Sequence, residues 1–367
     1  MTRSYWRKVG AVFAIASLLG AAACSDDSGD DSSDTTEADT EDTGDGGDGG
    51  DGGDESSGGT LQEVIDRGTL NCGVNGQLLG FSNVEADGSY TGIDVDYCKA
   101  IAAAVLDDPE AVEYTDLTAE TRFTALQSGD IDVLIRNGTW TASRDGELGL
   151  QWTATTFYDG QGMLVAEDSG FNSVEDMEGA IVCVQTGTTT ELNLETYFTG
   201  LGVSYEPLNV VDEAAVLDNF SSGACDGYTT DKSGLASFAA TYEGGPVKIL
   251  DDTMSKEPLG PAVREGDEEW FDIVQWVVFA TIQAEEFELT SENISSYDGG
   301  NPAVESFIAQ DFGAGLGFPD DEWVVRVIEA VGNYQEIYDR NIAPLGIAEG
   351  YNQLWTEGGL MISPPFL

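Results

Sequence analysis

The chain has 367 residues and no histidine among them. Its chemistry is therefore built without an imidazole base or an imidazole metal ligand. Basic side chains are almost as scarce: 14 Lys and Arg stand against 68 Asp and Glu, a formal net charge of −54. A surface of that sign repels nucleic acid and anionic lipid. The five cysteines include no C-x-x-C pair, which argues against a zinc site. No phosphate loop of the G-x-x-x-x-G-K type occurs, and Gly313-Ala314-Gly315-Leu316-Gly317 lacks the context of one, so any ATPase is another chain. Beyond the first 23 residues no long apolar run exists, because Trp270 to Ile282 is broken by Asp272, Gln275 and Thr281. That stretch predicts an amphipathic core helix.

What is present begins with an export signal over residues 1–23: Arg3, Arg7 and Lys8 precede an apolar run from Ala11 to Ala23 that is too short for an ordinary membrane span. Ala21, Ala22 and Ala23 lead into Cys24, which resembles a lipobox with Ala21 where Leu is more usual, and predicts lipidation at Cys24. From Ser25 to Thr60 follow 14 acidic and no basic residues, with no aromatic or branched aliphatic side chain. Such a segment cannot bury a core, so 24–60 reads as a lipidated cysteine and a solvated tether of roughly 30–36 Å end to end. Its Gly-Gly-Asp repeats lack the apolar residue that each coil of a calcium β-roll buries. The remaining 307 residues carry a net of −43. Dense carboxylate with little lysine suggests a high-salt habitat, where screening weakens self-repulsion.

Four cysteines remain in the body of the chain, and in an exported protein an even number implies disulfides. Three connectivities are open; Cys72–Cys98 with Cys183–Cys225 keeps each bridge within one predicted lobe. Bridges over such loops are worth about 3.5–4 kcal/mol each in the chain-entropy picture.

The body alternates strand and helix. Gly68 to Val74, preceded by a short helix, Glu113 to Leu117 and Ile131 to Arg136 read as strands, separated by helices over Asp94 to Leu106 and Arg122 to Ser128. This predicts a parallel sheet whose ligands bind beyond the strand carboxyl ends, at Asn75, Thr118 and Asn137. The rhythm restarts after Gly162, with strands at Met163 to Ala166, Ala180 to Val184, Ser204 to Leu208, Gly227 to Thr229 and Val247 to Leu250. Glu257 to Arg264 reads as a return crossing. The expected architecture is α/β and two-lobed, with two hinge crossings and a helical C-terminal extension. Lobe 1 takes residues 61–160 and 261–367, and lobe 2 takes 161–260. Asp321 to Arg340 predicts one strong helix, and Leu354 to Met361 a segment packed back on lobe 1 with its aromatic residue in the core.

Three corners carry chemistry. In Ile135-Arg136-Asn137-Gly138-Thr139-Trp140-Thr141-Ala142-Ser143-Arg144 a strand end leads to a helix start, and the Arg144 fork suits a carboxylate. Gly187-Thr188-Thr189-Thr190-Glu191 offers hydroxyls and free amides at a helix N-terminus. Tyr228-Thr229-Thr230-Asp231-Lys232 ends a strand on a carboxylate, the partner an ammonium group needs. Arginine, amides and aspartate together fit a zwitterion. Scarce cations, Arg136, Arg144 and Lys232, collect at these corners.

With these stretches the chain resembles the family 3 solute-binding proteins of the periplasmic-binding-protein-like type II fold, nearest to the general L-amino-acid-binding proteins of polar amino acid ABC importers. Phe123-Thr124-Ala125-Leu126-Gln127-Ser128-Gly129, Ser255 to Arg264 and Trp355 to Met361 share in the resemblance, which spans about residues 60–367. It implies that Arg144 clamps the ligand α-carboxylate with Thr139 and the amides of Thr188 and Thr189, that Asp231 holds the α-ammonium, and that Asn137 adds a backbone contact. Arg136 would face a polar or acidic ligand side chain in a pocket with Asn75, Leu78, Phe81 and Thr118. The implied protein is a monomeric receptor on the outer face of the cell membrane, anchored only by lipid, with no cofactor or metal. It would deliver L-amino acids to a permease served by a separate ATPase. A periplasmic dehydratase on the same scaffold, with Asp231 or Glu191 as acid/base, and a ligand sensor docking to a receptor are the alternative expectations.

Overall fold

The computed structural model describes residues 59–309 and 313–367. The export signal, Cys24 and nearly all of the acidic tether lie outside the described residues. Along the chain come α1 (Thr60–Arg67), β1 (Leu70–Val74), three short strands β2 (Gln77–Leu78), β3 (Ser82–Val84) and β4 (Tyr90–Thr91), then α2 (Ile93–Leu106), β5 (Val112–Asp116), α3 (Arg122–Ser128), β6 (Val133–Leu134), α4 (Ala142–Glu147) and β7 (Leu150–Trp152). The long β8 (Phe157–Ala166) leads to β9 (Ala180–Gln185), α5 (Thr189–Leu201), β10 (Tyr205–Val210), α6 (Glu213–Ser221), β11 (Gly227–Asp231), α7 (Lys232–Thr241) and β12 (Val247–Ile249). The chain returns through β13 (Lys256–Leu259) and β14 (Ala262–Arg264) to α8 (Glu268–Glu286), α9 (Pro302–Ala309), α10 (Trp323–Val331) and α11 (Tyr334–Asn341).

Two five-strand paths organise these elements. The first sheet runs β5-β1-β6-β14-β7, and the second β10-β9-β11-β8-β12. In the first, β1 lies parallel to both β5 and β6, so the order reverses at β1 and its carboxyl edge faces a crevice. β8 and β13 form an antiparallel ribbon, Phe157 opposite Leu259 and Gly160 opposite Lys256, and this ribbon carries the chain between the lobes. Gly260 is required there because a Cβ would collide with the Ala154 carbonyl.

The first lobe has one large core. Ile93, Tyr97 and Ile101 of α2, Trp270, Val274 and Val277 of α8, Trp323 and Val327 of α10 and Ile337 of α11 are all buried in it. A fully buried side chain of this kind contributes about 1.5–3 kcal/mol. Cys72–Cys98 ties β1 to α2 within this core. In the second lobe two smaller clusters cover the two faces of the sheet, one around Met163, Val182 and Phe198, the other around Leu164, Val216 and Phe238. There Cys183–Cys225 is the bridge.

Three expectations change, and some short strands had none. Thr60, assigned to the tether, is folded: its amide donates to Asp267 at 2.8 Å and its hydroxyl accepts from Arg264 at 2.9 Å. Asp321 to Arg340 is two helices, α10 and α11. Gly332 (φ 84°) ends the first, and a reciprocal cap between Asn333 and Glu336 starts the second. Trp355 is 52% exposed rather than core, its indole N–H donating to Glu286, although Leu354 and Met361 beside it do enter the first-lobe core. The strands β2 to β4 and β7 carry too few residues to show alternation, so no pattern predicts them.

Candidate functional site

The carboxyl ends of β1, β5 and β6 place Asn75, Thr118 and Asn137 along one edge. Asn137 sits in the left-handed region (φ 34°), and its amide donates to Asp94 Oδ2 of α2 at 2.9 Å. That buried bond fixes the turn. Asn75 Nδ2 donates to Asn137 Oδ1 at 3.4 Å, the Trp152 indole donates to the Gly138 carbonyl at 3.1 Å, and the Trp140 amide donates to Pro258 of the return crossing at 2.8 Å. The next residues open α4, where the Thr141 hydroxyl accepts from the Arg144 amide at 3.2 Å. The Arg144 side chain folds back, donating from Nη1 to the Thr139 carbonyl at 2.8 Å, with its guanidinium carbon 5.0 Å from the centre of the Phe123 ring.

Two further guanidinium groups lie beside it. Arg136 donates from Nε to the Leu117 carbonyl at 2.6 Å. Arg122, at the start of α3, stacks on the other reach of Phe123 at 4.7 Å, and its Nε has no partner. The three are only 3% (Arg122), 4% (Arg136) and 8% (Arg144) exposed, yet none takes part in any ion pair among the described residues. Burial depresses all three pKa values, Arg136 to about 10 and Arg122 well below its ordinary value; neighbouring guanidinium groups add to the effect at Arg122 and Arg136, while Glu257 and Asp231 oppose it at Arg144. Such a cluster demands an anion.

Across the crevice the second lobe presents α5, α6 and α7. Thr188 caps α5, accepting from the Glu191 amide at 3.1 Å, and the Glu191 carboxylate accepts from the Gly187 amide at 2.9 Å and from Asn209 at 2.6 Å. Glu191 is thus occupied as a cap. Thr189 Oγ1 lies 3.3 Å from Thr139 Oγ1 and donates to Glu257 at 2.9 Å, so the two lobes touch through these hydroxyls.

Asp231 holds the N-cap position of α7 but makes no capping bond. Asp159 of β8 accepts from the Ser233 amide instead, at 3.2 Å. Relieved of capping, Asp231 is buried with Oδ1 unpartnered. Burial pushes its pKa well above the usual carboxylate range, Asp159 and Glu257 push it further, and Arg122 and Arg144 oppose them. A cation placed against Oδ1 would restore the ionised form. Lys232 is not that cation: its ammonium turns away to the Asp251 carbonyl at 3.1 Å and Thr253 at 2.7 Å.

Leu78 and Phe81, expected in a side-chain pocket, belong to the first-lobe core, Phe81 meeting Phe157 edge-on at 5.3 Å. The site also holds residues that sequence reasoning missed. Arg122 follows Thr118 at the end of β5 and was open to the same strand-end rule that selects Thr118. Glu257, buried and bonded to Thr189, Asn193 and Ser255, carries no local signal. Neither do Asp159 and Glu213, whose neighbours come from distant segments.

The model of the bacterial extracellular solute-binding proteins, family 3, matches residues 70–293. The chain belongs to that family. It is similar to the glutamate/glutamine/aspartate/asparagine-binding protein BztA of Rhodobacter capsulatus, with 48% identity over 85% of this chain and 94% of that one. The general L-amino acid-binding periplasmic protein AapJ of Rhizobium johnstonii is 46% identical over 84% of this chain and 93% of its own length. Among solved structures, an ABC transporter/periplasmic binding protein from Brucella ovis with glutathione bound superimposes with a TM-score of 0.82 at 43% identity, covering 84% of this chain and 99% of that one. The two-lobed type II architecture is shared with it.

Proposed function

We propose that this solute-binding protein captures L-amino acids outside the cell and delivers them to an ABC permease whose ATPase is a separate chain. The observation that carries the reading is the set of buried guanidinium groups without ion pairs among the described residues, Arg122, Arg136 and Arg144, set against buried Asp231 with an oxygen unpartnered there. A free amino acid satisfies both at once. Its α-carboxylate takes the Arg144 fork, with Arg122 adjacent and the hydroxyls and amides of Thr139, Thr188 and Thr189 around it. Its α-ammonium takes Asp231. Asn75, Asn137 and Arg136 then face the side chain. The lobe of residues 61–160 and 261–367 binds first, and the lobe of 161–260 closes on it about the β8–β13 ribbon.

The names of the Rhodobacter and Rhizobium relatives support amino acids as the ligand class. Glutathione, held by the Brucella protein, also carries a free α-ammonium and α-carboxylate at its γ-glutamyl end. In this reading Cys24 is lipidated and the acidic segment 25–60 tethers a monomer to the outer face of the membrane. The protein binds and releases without catalysis or cofactor, and the relatives' names favour that reading over the dehydratase and sensor alternatives.

Thermal shift against the twenty L-amino acids and several carboxylates lacking an amine, in high salt, tests the reading. Several amino acids raising the midpoint supports it. A response confined to acids without an amine removes Asp231 from its role.

A further inference from the structure

Where the lobes meet beside Arg136, a cavity of about 120 Å³ is lined by Asn75, Thr118 and Arg136 from the first-sheet strand ends and by Gln185, Asp212 and Glu213 from the second lobe. At about 30 Å³ per water it holds some four waters, the space of a side chain with about four or five heavy atoms. Its walls are amides, hydroxyl and charge, so a polar side chain belongs in it.

The cation and the anion that matter come from opposite lobes. Arg136 spends Nε on the Leu117 carbonyl and forms no ion pair among the described residues, leaving the rest of its fork to the cavity. Glu213 is the first residue of α6; Asp212 before it is occupied as the cap, accepting from the Ala215 amide at 2.8 Å. The charged and titratable groups acting here are Arg136 from the β6 end, Asp212 on the α6 cap, Asp116 on the cavity wall from β5, and the Tyr228 phenol of β11. Asp94, Arg144 and Asp231 also act on Arg136. Burial raises the Glu213 pKa to about 7, with Arg136 opposing and Asp212 reinforcing.

A ligand side chain in this space sits between a fixed cation and a carboxyl that can change charge. If the side chain is itself a carboxylate, Arg136 attracts it and ionised Glu213 repels it. One proton from solvent on the Glu213 carboxylate removes the repulsion and turns that oxygen into a donor for the ligand. If the side chain is the amide of the same shape, ionised Glu213 accepts from its NH2 and no proton is needed.

We infer that Glu213 is a specificity-determining residue that lets one pocket take both an acidic amino acid and its amide, the acid binding with one more proton than the amide. This deepens, and rests on, the amino-acid reading above.

Calorimetry of the full chain with L-glutamate and L-glutamine at about pH 8, in two buffers of different ionisation enthalpy, tests it. The expected result is that glutamate takes up close to one proton more than glutamine, any proton that Asp231 releases on meeting the ammonium being common to both, and that glutamate affinity relative to glutamine falls about tenfold per pH unit above pH 7. In E213Q the difference in proton uptake and the difference in pH dependence between the two ligands disappear. Equal proton exchange with both ligands in the wild-type protein, or a difference that persists in E213Q, overturns the inference. The wild-type comparison stands even if E213Q does not fold. If neither ligand binds while other amino acids raise the thermal midpoint, the pocket assignment falls and the zwitterion reading survives. If no amino acid binds, the amino-acid reading fails and takes this inference with it.

Discussion

The two lobes differ in mass and in the sign of the charge they turn toward each other. The first has a large core thickened by α2, α8, α10 and α11, and it contributes the guanidinium groups of Arg122, Arg136 and Arg144. The second is a sheet with two thin apolar layers, and it contributes Asp231 and Glu213, with Asp159 and Glu257 on the crossing strands next to it. In a body with 11 basic residues, three stand together in one crevice without an ion pair among the described residues. The contrast explains how a binding site can be held unsatisfied. Cations are locked into a rigid lobe by packing and carbonyl bonds, the anion is locked into the other by a borrowed cap, and a molecule carrying both charges completes each set.

The largest effect should come from deleting the anchor on the rigid lobe. Arg144→Ala is expected to cost about 2–5 kcal/mol in amino-acid affinity, because the ligand carboxylate would be buried against fewer donors; unchanged affinity by calorimetry would refute the clamp. The thinner lobe should depend more on its covalent bridge. Replacing Cys183 and Cys225 together by serine is expected to lower unfolding stability by about 2–4 kcal/mol in chemical denaturation. Appearance of a separate low-stability transition for this lobe alone would sharpen the comparison, and an unshifted curve would break it.

On the anionic side, Asp231→Asn keeps the shape and removes the charge, and should weaken binding by about 1.5–3 kcal/mol. The loss should be greater for amino acids than for carboxylates without an amine. Equal losses for both classes would show that Asp231 does not read the ammonium.

The buried carboxyls also make stability depend on pH. Asp94 and Glu213 are raised to about 7 and Asp159 to about 6, with burial the main cause in each. Between their unfolded values near 4 and these folded ones the native state holds more protons than the unfolded state. Stability is therefore highest below pH 4 from these groups alone and falls as pH rises to about 7. The midpoint of thermal unfolding should be higher at pH 5.5 than at pH 8 in molar salt, where surface repulsion is screened. A midpoint that rises over that interval would contradict the assignment.

The smallest effect on binding is expected at a cation outside the crevice. Arg264 donates to the carbonyls of Leu126 and Ile131 and to Thr60, holding α1 against the first sheet. Arg264→Ala should lower stability by about 1–3 kcal/mol and leave affinity nearly unchanged. A loss of affinity matching that of Arg144→Ala would erase the distinction between site cations and structural ones.

What the sequence by itself determined were the features written in local periodicity and local chemistry. The βαβ alternation, the α2 and α8 helices, the cap residues Thr141 and Thr188, and the strand-end positions of Asn75 and Asn137 all depend on neighbours within a few residues, whereas of three open disulfide connectivities the structure has the one that keeps each bridge within a lobe. The Asp321 to Arg340 stretch shows the limit even there, since its apolar period continues across a break made by one left-handed glycine and one cap.

Only the tertiary structure decided which charges meet. Asp231 could have spent its carboxylate on its own helix, and it is Asp159, 72 residues earlier on the crossing strand, that takes that task. Arg122 reads as an ordinary helix-start cation until burial beside Arg136 and Arg144 removes it from solvent. Lys232 adjoins Asp231 in sequence and points elsewhere. Electrostatic partners are chosen by proximity in space and by loss of water, and neither quantity is carried by the order of residues along the chain.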